Sequence, residues 1–501
     1  MENLSLTNCQ RDICETVYQN LSNNRKSVFL VCGKPGTGKT YLIENIAKYL
    51  KHTDENNIFS IMLAMTNRAA KHIGGSTINS YFKMDYRTGS AYTILNKKIS
   101  KKYLSKSGFE TFDYVNCFKY VESSTIKWNP SNRIYLNELF GHTHSHELFD
   151  NCAYSNEPSQ SKTIIFIDEC SMIPIWLIWA IIIHFDKVFD KYIIILLGDR
   201  NQTGPIVFPF SIFNFGITKL ANLMNDLYTQ EFQLLVNKRF NPAYEQIVNK
   251  FLEFYENIAI DNVEKKYELL VNLKSFLANH FDQPLSNIIY ADNLIDIDRV
   301  LCFYNHRVNQ YNSIYIHNLK TQPYMLRGSL HLSNQIKPLE ITQEIEDILG
   351  TIETLPKVDL LLKIDCLVTP INNTASLKNG ISYRVVRYNK FVDTLILKTD
   401  KDHYFEIMRE PYKIANRNII QLLGLKNQPN EQLLFKQFPL TLNYATTIHK
   451  IQGETLDCNI IIDVVDVNNK ITPEILYTAI SRVRDKNQIK YIIGLKSDDY
   501  A

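Results

Sequence analysis

The sequence predicts an α/β protein built on parallel sheets, and three observations carry that prediction. Short, mostly apolar runs recur at 27–32 (SVFLVC), 58–64 (IFSIMLA), 163–168 (TIIFID) and 192–199 (YIIILLGD). Their length and β-branched content suit strands buried on both faces. Helical or irregular stretches separate them, the alternation that builds parallel sheets. The same alternation returns over 440–501 after a stretch of different character.

Composition bounds the rest. A chain of 501 residues has room for roughly three domains. With 45% hydrophobic and 21% charged residues it can bury sizeable cores, which excludes global disorder. A formal charge of +3 neither demands nor excludes a nucleic-acid partner, because a basic groove can be balanced by acidic surface elsewhere. Nine cysteines without a C-x-x-C pair leave at least one unpaired. They read as a reduced intracellular protein, nuclear or cytoplasmic. The N-terminal stretch has no basic start followed by an apolar run, so no signal peptide is expected. The most apolar stretch, 173–183, is shorter than the roughly 18–20 residues that span a bilayer, and no membrane partner is expected. The sequence assigns neither a viral nor a cellular origin.

Residues 6–21 space Ile13, Cys14, Val17, Tyr18 and Leu21 as a helix face, and Thr7 with Gln10 forms a capping box. The strand at 27–32 leads through a Gly-rich turn into KTYLIENIAKYL, a helix with Ile43, Ile46, Ala47 and Leu50 on one face. Residues 84–160 break the rhythm and read as an insertion into the first α/β domain. Their HTHSH, even with Cys152, lacks zinc-ligand spacing and reads as a polar loop. A second unit starts near 240, with helices near 243–282 and a strand within 299–305. Residues 346–430 are β-rich and turn-rich, consistent with a small barrel inserted into the second α/β domain.

The strongest local signal is GKPGTGKT, 33–40, lying between a strand and an amphipathic helix. Gly33, Pro35, Gly36, Thr37 and Gly38 supply a loop whose backbone N–H groups can turn around phosphate oxygens, aided by the helix N-terminus. Lys39 is placed to reach the terminal phosphates, and the Thr40 hydroxyl to hold Mg²⁺. IIFIDE puts Asp168 at a strand end as a second Mg²⁺ ligand, with Glu169 as the residue that orients or deprotonates the attacking water. GDRNQ places Gln202 at the next strand end, where a neutral amide can sense the γ-phosphate. These pieces make an NTPase without saying what hydrolysis drives.

An ordered series of motifs then resembles the superfamily 1 helicases, most similarly their Pif-, RecD- and Dda-like branch. Gln10 resembles the adenine-recognising Q motif, and GKPGTGKT motif I. AMTNRAAKHIGGSTINSYF (64–82) resembles motifs Ia and Ib, IDECSM motif II and GDRNQTGPI motif III. LLVNKRF (234–240), TLNYATTIHKIQGETLD (441–457) and LYTAISRVR (476–484) resemble motifs IV, V and VI. The resemblance implies two RecA-like domains, 1–235 and 236–345 joined with 431–501. It also implies a wedge-like region at 84–160 and an SH3-like β-barrel at 346–430. Arg239 and Arg482, both outside the first domain on these boundaries, become catalytic arginines, with Arg484 as a neighbouring alternative; Gln452, Gly453 and Glu454 lie toward the nucleotide. DNA contacts are expected from Thr66, Asn67, Arg68, Asn79, Ser80 and Phe82, and from Asn305, His449 and Lys450. Asn379-Gly380 resembles the branch's L-x-N-G turn and is equally a hairpin turn. Three departures stand out: Asn79 where the family usually has His, QTGPI without paired prolines, and a long 84–160 segment.

The implied activity is an ATP-dependent, Mg²⁺-requiring DNA helicase, moving 5′→3′ on single strands and opening junctions with duplex. A monomer is expected, with a single-strand-binding protein or replication machinery as further partners. An RNA helicase or protein-stripping translocase, and a P-loop assembly ATPase, are the alternative readings.

Overall fold

The first helix, α1 (Asn8–Ser22), begins where Thr7 caps it. The Thr7 hydroxyl accepts from the Gln10 N–H and the Gln10 side chain accepts from the Thr7 N–H, so two helix-end donors are satisfied reciprocally. The computed structural model describes residues 6–23, 26–53, 58–82, 162–173, 175–205, 211–213, 229–258, 272, 275–281, 294, 296–333, 335, 337–352, 355–372, 374, 376–378, 381–414, 416–425, 432–465 and 473–494. The expected wedge at 84–160, with its HTHSH, and the Asn379-Gly380 turn lie outside them.

Two units are resolved by contacts. Unit 1 comprises Met1–Asn257 together with Gln452–Thr455 and Thr472–Arg484. Its sheet is parallel throughout, in the order β3-β2-β4-β5-β1-β6 among the described residues. The strands are β1 (Ser27–Gly33), β2 (Ile58–Ala64), β3 (Ser76–Thr77), β4 (Lys162–Asp168), β5 (Tyr192–Gly198) and β6 (Gln230–Leu234). β1 and β5 are buried along their whole length, as central strands covered on both faces must be. The helices are α2 (Lys39–Thr53), α3 (Asn67–His72), α4 (Ile78–Tyr81), α5 (Ile175–Val188) and α6 (Pro242–Ile258). Ile13, Val17, Leu21, Ile43 and Ile46 pack with Phe29, Phe166, Ile195 and Leu197 into one core. From Ile175 on, the apolar 173–183 stretch lies in α5, where Leu177, Ile178, Ile181 and Ile182 are buried. Among the described residues no helix is long and apolar enough to cross a membrane.

Unit 2 comprises Ile258–Ile451, Leu456–Ile471 and Asp485–Ala501. It holds a second parallel sheet, in the order β18-β7-β19-β20 among the described residues. Here β7 is Arg299–Cys302, β18 Ala445–Thr447, β19 Ile460–Asp463 and β20 Ile489–Ile493, with α7 (Asn305–Asn318) following β7. Between β7 and β18 the chain is antiparallel. A five-stranded sheet contains β11 (Leu367–Pro370), β12 (Tyr383–Asn389), β13 (Thr394–Lys398), β14 (Tyr404–Ile407) and β17 (Leu440–Leu442). The pair β8 (Pro323–Arg327) and β10 (Asp359–Lys363) shares its core, through Leu326, Leu360 and Leu362. β9 (Ser329–Leu332), β15 (Glu410–Ile414) and β16 (Leu433–Gln437) form a third sheet. This β-rich region runs from 323 to 442, wider than the 346–430 expected.

The fold class is therefore α/β with parallel sheets. The grouping of the C-terminal motifs differs from the sequence expectation. Residues 452–455 and 472–484, expected in the second domain, pack with the first sheet, as does Arg239. The helix Pro473–Ile480 is held there by named bonds: Tyr244 Oη donates to the Ile480 carbonyl (2.6 Å), Thr203 N to Thr478 Oγ1 (3.1 Å) and Asn241 N to the Arg484 carbonyl (3.2 Å).

Candidate nucleotide and strand sites

The loop 33–40 leaves the C-terminal end of β1, where a parallel sheet binds ligands. Gly36 has φ +85°, and a Cβ there would come within 2.3 Å of Arg239 Cβ. Only glycine fits both the conformation and the space. The segment after β6 lies against this loop. Lys238 N donates to the Gly36 carbonyl (2.8 Å) and Asn237 Nδ2 to the Pro35 carbonyl (2.7 Å). Asn237 Oδ1 in turn accepts from the Arg239 and Phe240 N–H groups. Asn237, absent from the sequence prediction, thus fixes the arginine onto the phosphate loop. Its only signal is a position two residues before Arg239.

Lys39 is buried, with Nζ on the carbonyls of Gly33 (2.6 Å) and Lys34 (3.3 Å). Thr37 is buried too and donates to the Lys34 carbonyl (2.8 Å). Thr40 hydrogen-bonds Asp168, whose Oδ1 accepts from the Glu169 N–H (2.9 Å). Burial and the adjacent Glu169 push the Asp168 carboxyl up to about 7, with Lys39 opposing. Glu169 is a left-handed non-glycine residue, φ 54°, a conformation that costs about 1–3 kcal/mol and turns the chain sharply at the strand end.

Glu169 belongs to a buried polar network. Gln452 Nε2 lies 2.9 Å from Gln202 Oε1, 3.3 Å from Ser171 Oγ and 3.4 Å from Glu169 Oε2. Its Oε1 accepts from Thr203 Oγ1 at 2.5 Å. Gln202 Nε2 continues to Asp199 Oδ2 (3.3 Å), which also accepts from Tyr477 Oη (2.9 Å). Asp199 and Tyr477 are buried and both shifted up, chiefly by desolvation. Gly453, φ +83°, follows Gln452; a Cβ there would lie 3.1 Å from Glu169 Oε1. Asp199, Thr203 and Tyr477 were not singled out in the sequence. Each reads as an ordinary core or turn residue until the network is assembled.

Two arginines complete the site. Arg482 is 1% exposed; Nε donates to the Thr478 carbonyl (2.7 Å), Nη1 to the Glu454 carbonyl (3.3 Å) and Nη2 to Ser481 Oγ (2.8 Å). Arg239 Nη1 donates to the Ser481 carbonyl (3.1 Å). Burial lowers both guanidinium pKa values; Arg239 is lowered further by Arg482 and is pushed down to about 9. Two cations held together out of water favour an anion beside them. Arg484 is exposed, unlike these two.

Gln10 is fully buried, its Nε2 reaching the Gly38 carbonyl at 3.4 Å while Oε1 caps α1. In this arrangement it ties α1 to the phosphate loop.

The strand candidates of unit 1 sit beyond β2 and β3. Thr66 caps α3 through the Ala69 N–H, and Asn67 and Ser80 are exposed. Arg68 forms an ion pair with Glu454 at 2.5 Å, which links the expected strand loop to the expected nucleotide loop. Asn79 Oδ1 is buried and has no hydrogen-bond partner among the described residues. Phe82 corrects the sequence expectation: it is 1% exposed, packed against Tyr81, His184 and Phe185, and offers no face for a base. In unit 2, Asn305 and Lys450 are exposed and His449 is half-buried, all at the C-terminal end of the second sheet. No metal-binding group of three His, Cys, Asp or Glu side chains occurs among the described residues.

Residues 18–209 match the family model described as an AAA domain. The chain is 20% identical to the ATP-dependent DNA helicase Pif1 of Campylobacter jejuni over 468 residues, 93% of this chain and 88% of that protein. It is 28% identical to the ATP-dependent DNA helicase Pif1 of Bdellovibrio bacteriovorus over 236 residues, 42% of this chain and 48% of that protein. The crystal structure of Bacteroides Pif1 bound to single-stranded DNA superposes with a TM-score of 0.55 at 18% identity, covering 99% of this chain and 93% of that one. At that identity the superposition speaks for the fold.

Proposed function

We infer, from this chain's place in the Pif1/RecD-like branch of the superfamily 1 helicases, that it is an ATP-dependent DNA helicase. It hydrolyses ATP in unit 1, moves 5′→3′ along single-stranded DNA and opens single-strand/duplex junctions. The observation that carries this reading is the course of TIHKIQGETLD. Its exposed Lys450 belongs to unit 2, while Gln452, two residues on, is buried between Glu169 and Gln202 in unit 1. A tug on the strand at Lys450 therefore passes, with Ile451 alone between, to the residue that touches the water-activating carboxylate. A static P-loop assembly ATPase has no use for that link.

The residues divide the chemistry. The phosphate loop with Lys39 binds and orients the nucleotide, whose γ-phosphoryl group is the one transferred. Mg²⁺ would be held by Thr40 and Asp168 and would neutralise charge on the phosphate oxygens. A buried carboxyl pushed up by desolvation beside a hydroxyl is a donor set that a divalent cation satisfies. Glu169 orients the attacking water and accepts its proton. Arg239 and Arg482 place positive charge where the transition state develops negative charge. Asn67, Ser80, Asn305, His449 and Lys450 contact the strand. The β-rich region of unit 2 takes the place of the SH3-like barrel. The chain works as a monomer, with a single-strand-binding protein or replication machinery among its partners.

Matched duplexes with 5′ or 3′ tails, in DNA and RNA versions, test this. Unwinding of the 5′-tailed DNA, dependent on ATP and Mg²⁺ and absent in Lys39→Ala, is expected. Preference for the 3′ tail removes the polarity, preference for RNA the substrate, and ATPase unresponsive to any single strand the helicase reading itself.

A further inference from the structure

At the C-terminal end of the second sheet four rings form a row. Phe303 and Tyr304 meet edge to face (centroids 4.5 Å), Tyr304 and His306 stack (5.5 Å, planes 25° apart), and His449 lies 6.4 Å from Phe303. Phe303, Tyr304 and His449 are part-exposed; His306 is exposed, as are Asn305, between Tyr304 and His306 in the chain, and Lys450, next to His449. Aromatic side chains left at a protein surface normally scatter singly, whereas these are consecutive in space and flanked by an amide and a cation.

The row is also rigidly mounted. Asp463, at the end of β19, is fully buried, and its Oδ2 accepts from Arg307 Nε (2.9 Å), Arg307 Nη2 (2.5 Å) and Tyr311 Oη (2.6 Å). Its Oδ1 accepts from Val465 N (3.0 Å) and its carbonyl from Phe303 N (3.1 Å). The segment 303–307, which carries Phe303, Tyr304 and His306, is thereby pinned at both ends. A preformed surface loses little freedom on binding a flat partner.

We propose that Tyr304 and His306, backed by Phe303 and His449, are a stacking platform for the bases of single-stranded DNA. The platform adds base contact to a strand that Asn305 and Lys450 hold by its phosphates, and it rests on the helicase reading above. Stacking accepts any base, because each has a π-face, so the platform grips without imposing sequence.

Fluorescence anisotropy of the full chain with oligothymidylate and with an abasic strand of equal length tests it. Wild type is expected to bind the base-bearing strand on the order of tenfold more tightly. The Tyr304→Ala/His306→Ala protein should lose most of that preference while keeping its salt dependence, which reports phosphate contacts. Tyr304→Trp should keep the preference. A strand carrying 2-aminopurine should change its emission on binding wild type, a readout that needs no variant. Equal wild-type affinity for both strands, unchanged 2-aminopurine emission, or an undiminished preference in the double variant overturns the platform. Failure to bind either strand overturns instead the helicase reading on which it rests.

Discussion

At the scale of single residues, the buried Arg482 and the half-buried Arg239 differ in how firmly they are held. Arg482 donates to three protein oxygens, whereas Arg239's guanidinium donates to the Ser481 carbonyl. Arg482→Ala should leave binding of a non-hydrolysable ATP analogue nearly unchanged and cut turnover by a factor on the order of 10³, as for a lost arginine finger. Single-turnover hydrolysis measures it, and a twofold loss would move the role to Arg239. Arg239→Gln should also suppress turnover, yet the nucleotide-free protein should melt no lower than wild type. The substitution removes a charge that burial and Arg482 both disfavour. A clear drop in melting temperature would mean that Arg239 is structural. Both arginines were legible in the sequence because each sits in a motif. Asn237, which mounts one of them, was not, because a side chain that bonds backbone across 202 residues leaves no local pattern. Whether Phe82 is core or stacking surface was not legible for the complementary reason: exposure depends on partners such as His184 and Phe185 that are far away in the chain.

At the scale of elements, the pattern of apolar runs was almost sufficient. The run 58–64 coincides with β2, and those at 27–32, 163–168 and 192–199 meet β1, β4 and β5 within a residue at each end. Central parallel strands are apolar on both faces, so their limits are written in composition. The antiparallel strands of unit 2 alternate inward and outward residues and pair over long separations, as β9 does with β16, so their grouping was visible only as a β-rich tract. The mounting of α7 on β19 was not visible at all. Asp463→Asn should strip the countercharge from Arg307, whose side chain is only 12% exposed, and destabilise unit 2 by about 3 kcal/mol. The urea midpoint of the transition reporting unit 2 measures this. Pairing Asp463→Leu with Arg307→Met should recover most of the loss, because the uncompensated charge is then gone. No recovery would place the stabilisation in the bonds to Tyr311 and Val465 instead.

At the scale of the whole molecule, the nucleotide site is not contained in the first stretch of chain. A protein ending at residue 257 keeps Lys39, Asp168 and Glu169 but lacks Gln452 and Arg482, and it leaves Asp199 without Tyr477. Its ATP turnover should fall at least as far as that of Arg482→Ala, and adding single-stranded DNA should not raise it. A stimulated rate in that fragment would show that 452–455 and 472–484 are dispensable. The same discontinuity has a consequence for synthesis. As the ribosome works from the N-terminus, the phosphate loop and the first sheet emerge long before Tyr477 and Arg482 do. Until then the phosphate loop stands without Gln452, Tyr477 and Arg482. On the proposed reading, hydrolysis waits until residues 472–484 have been made.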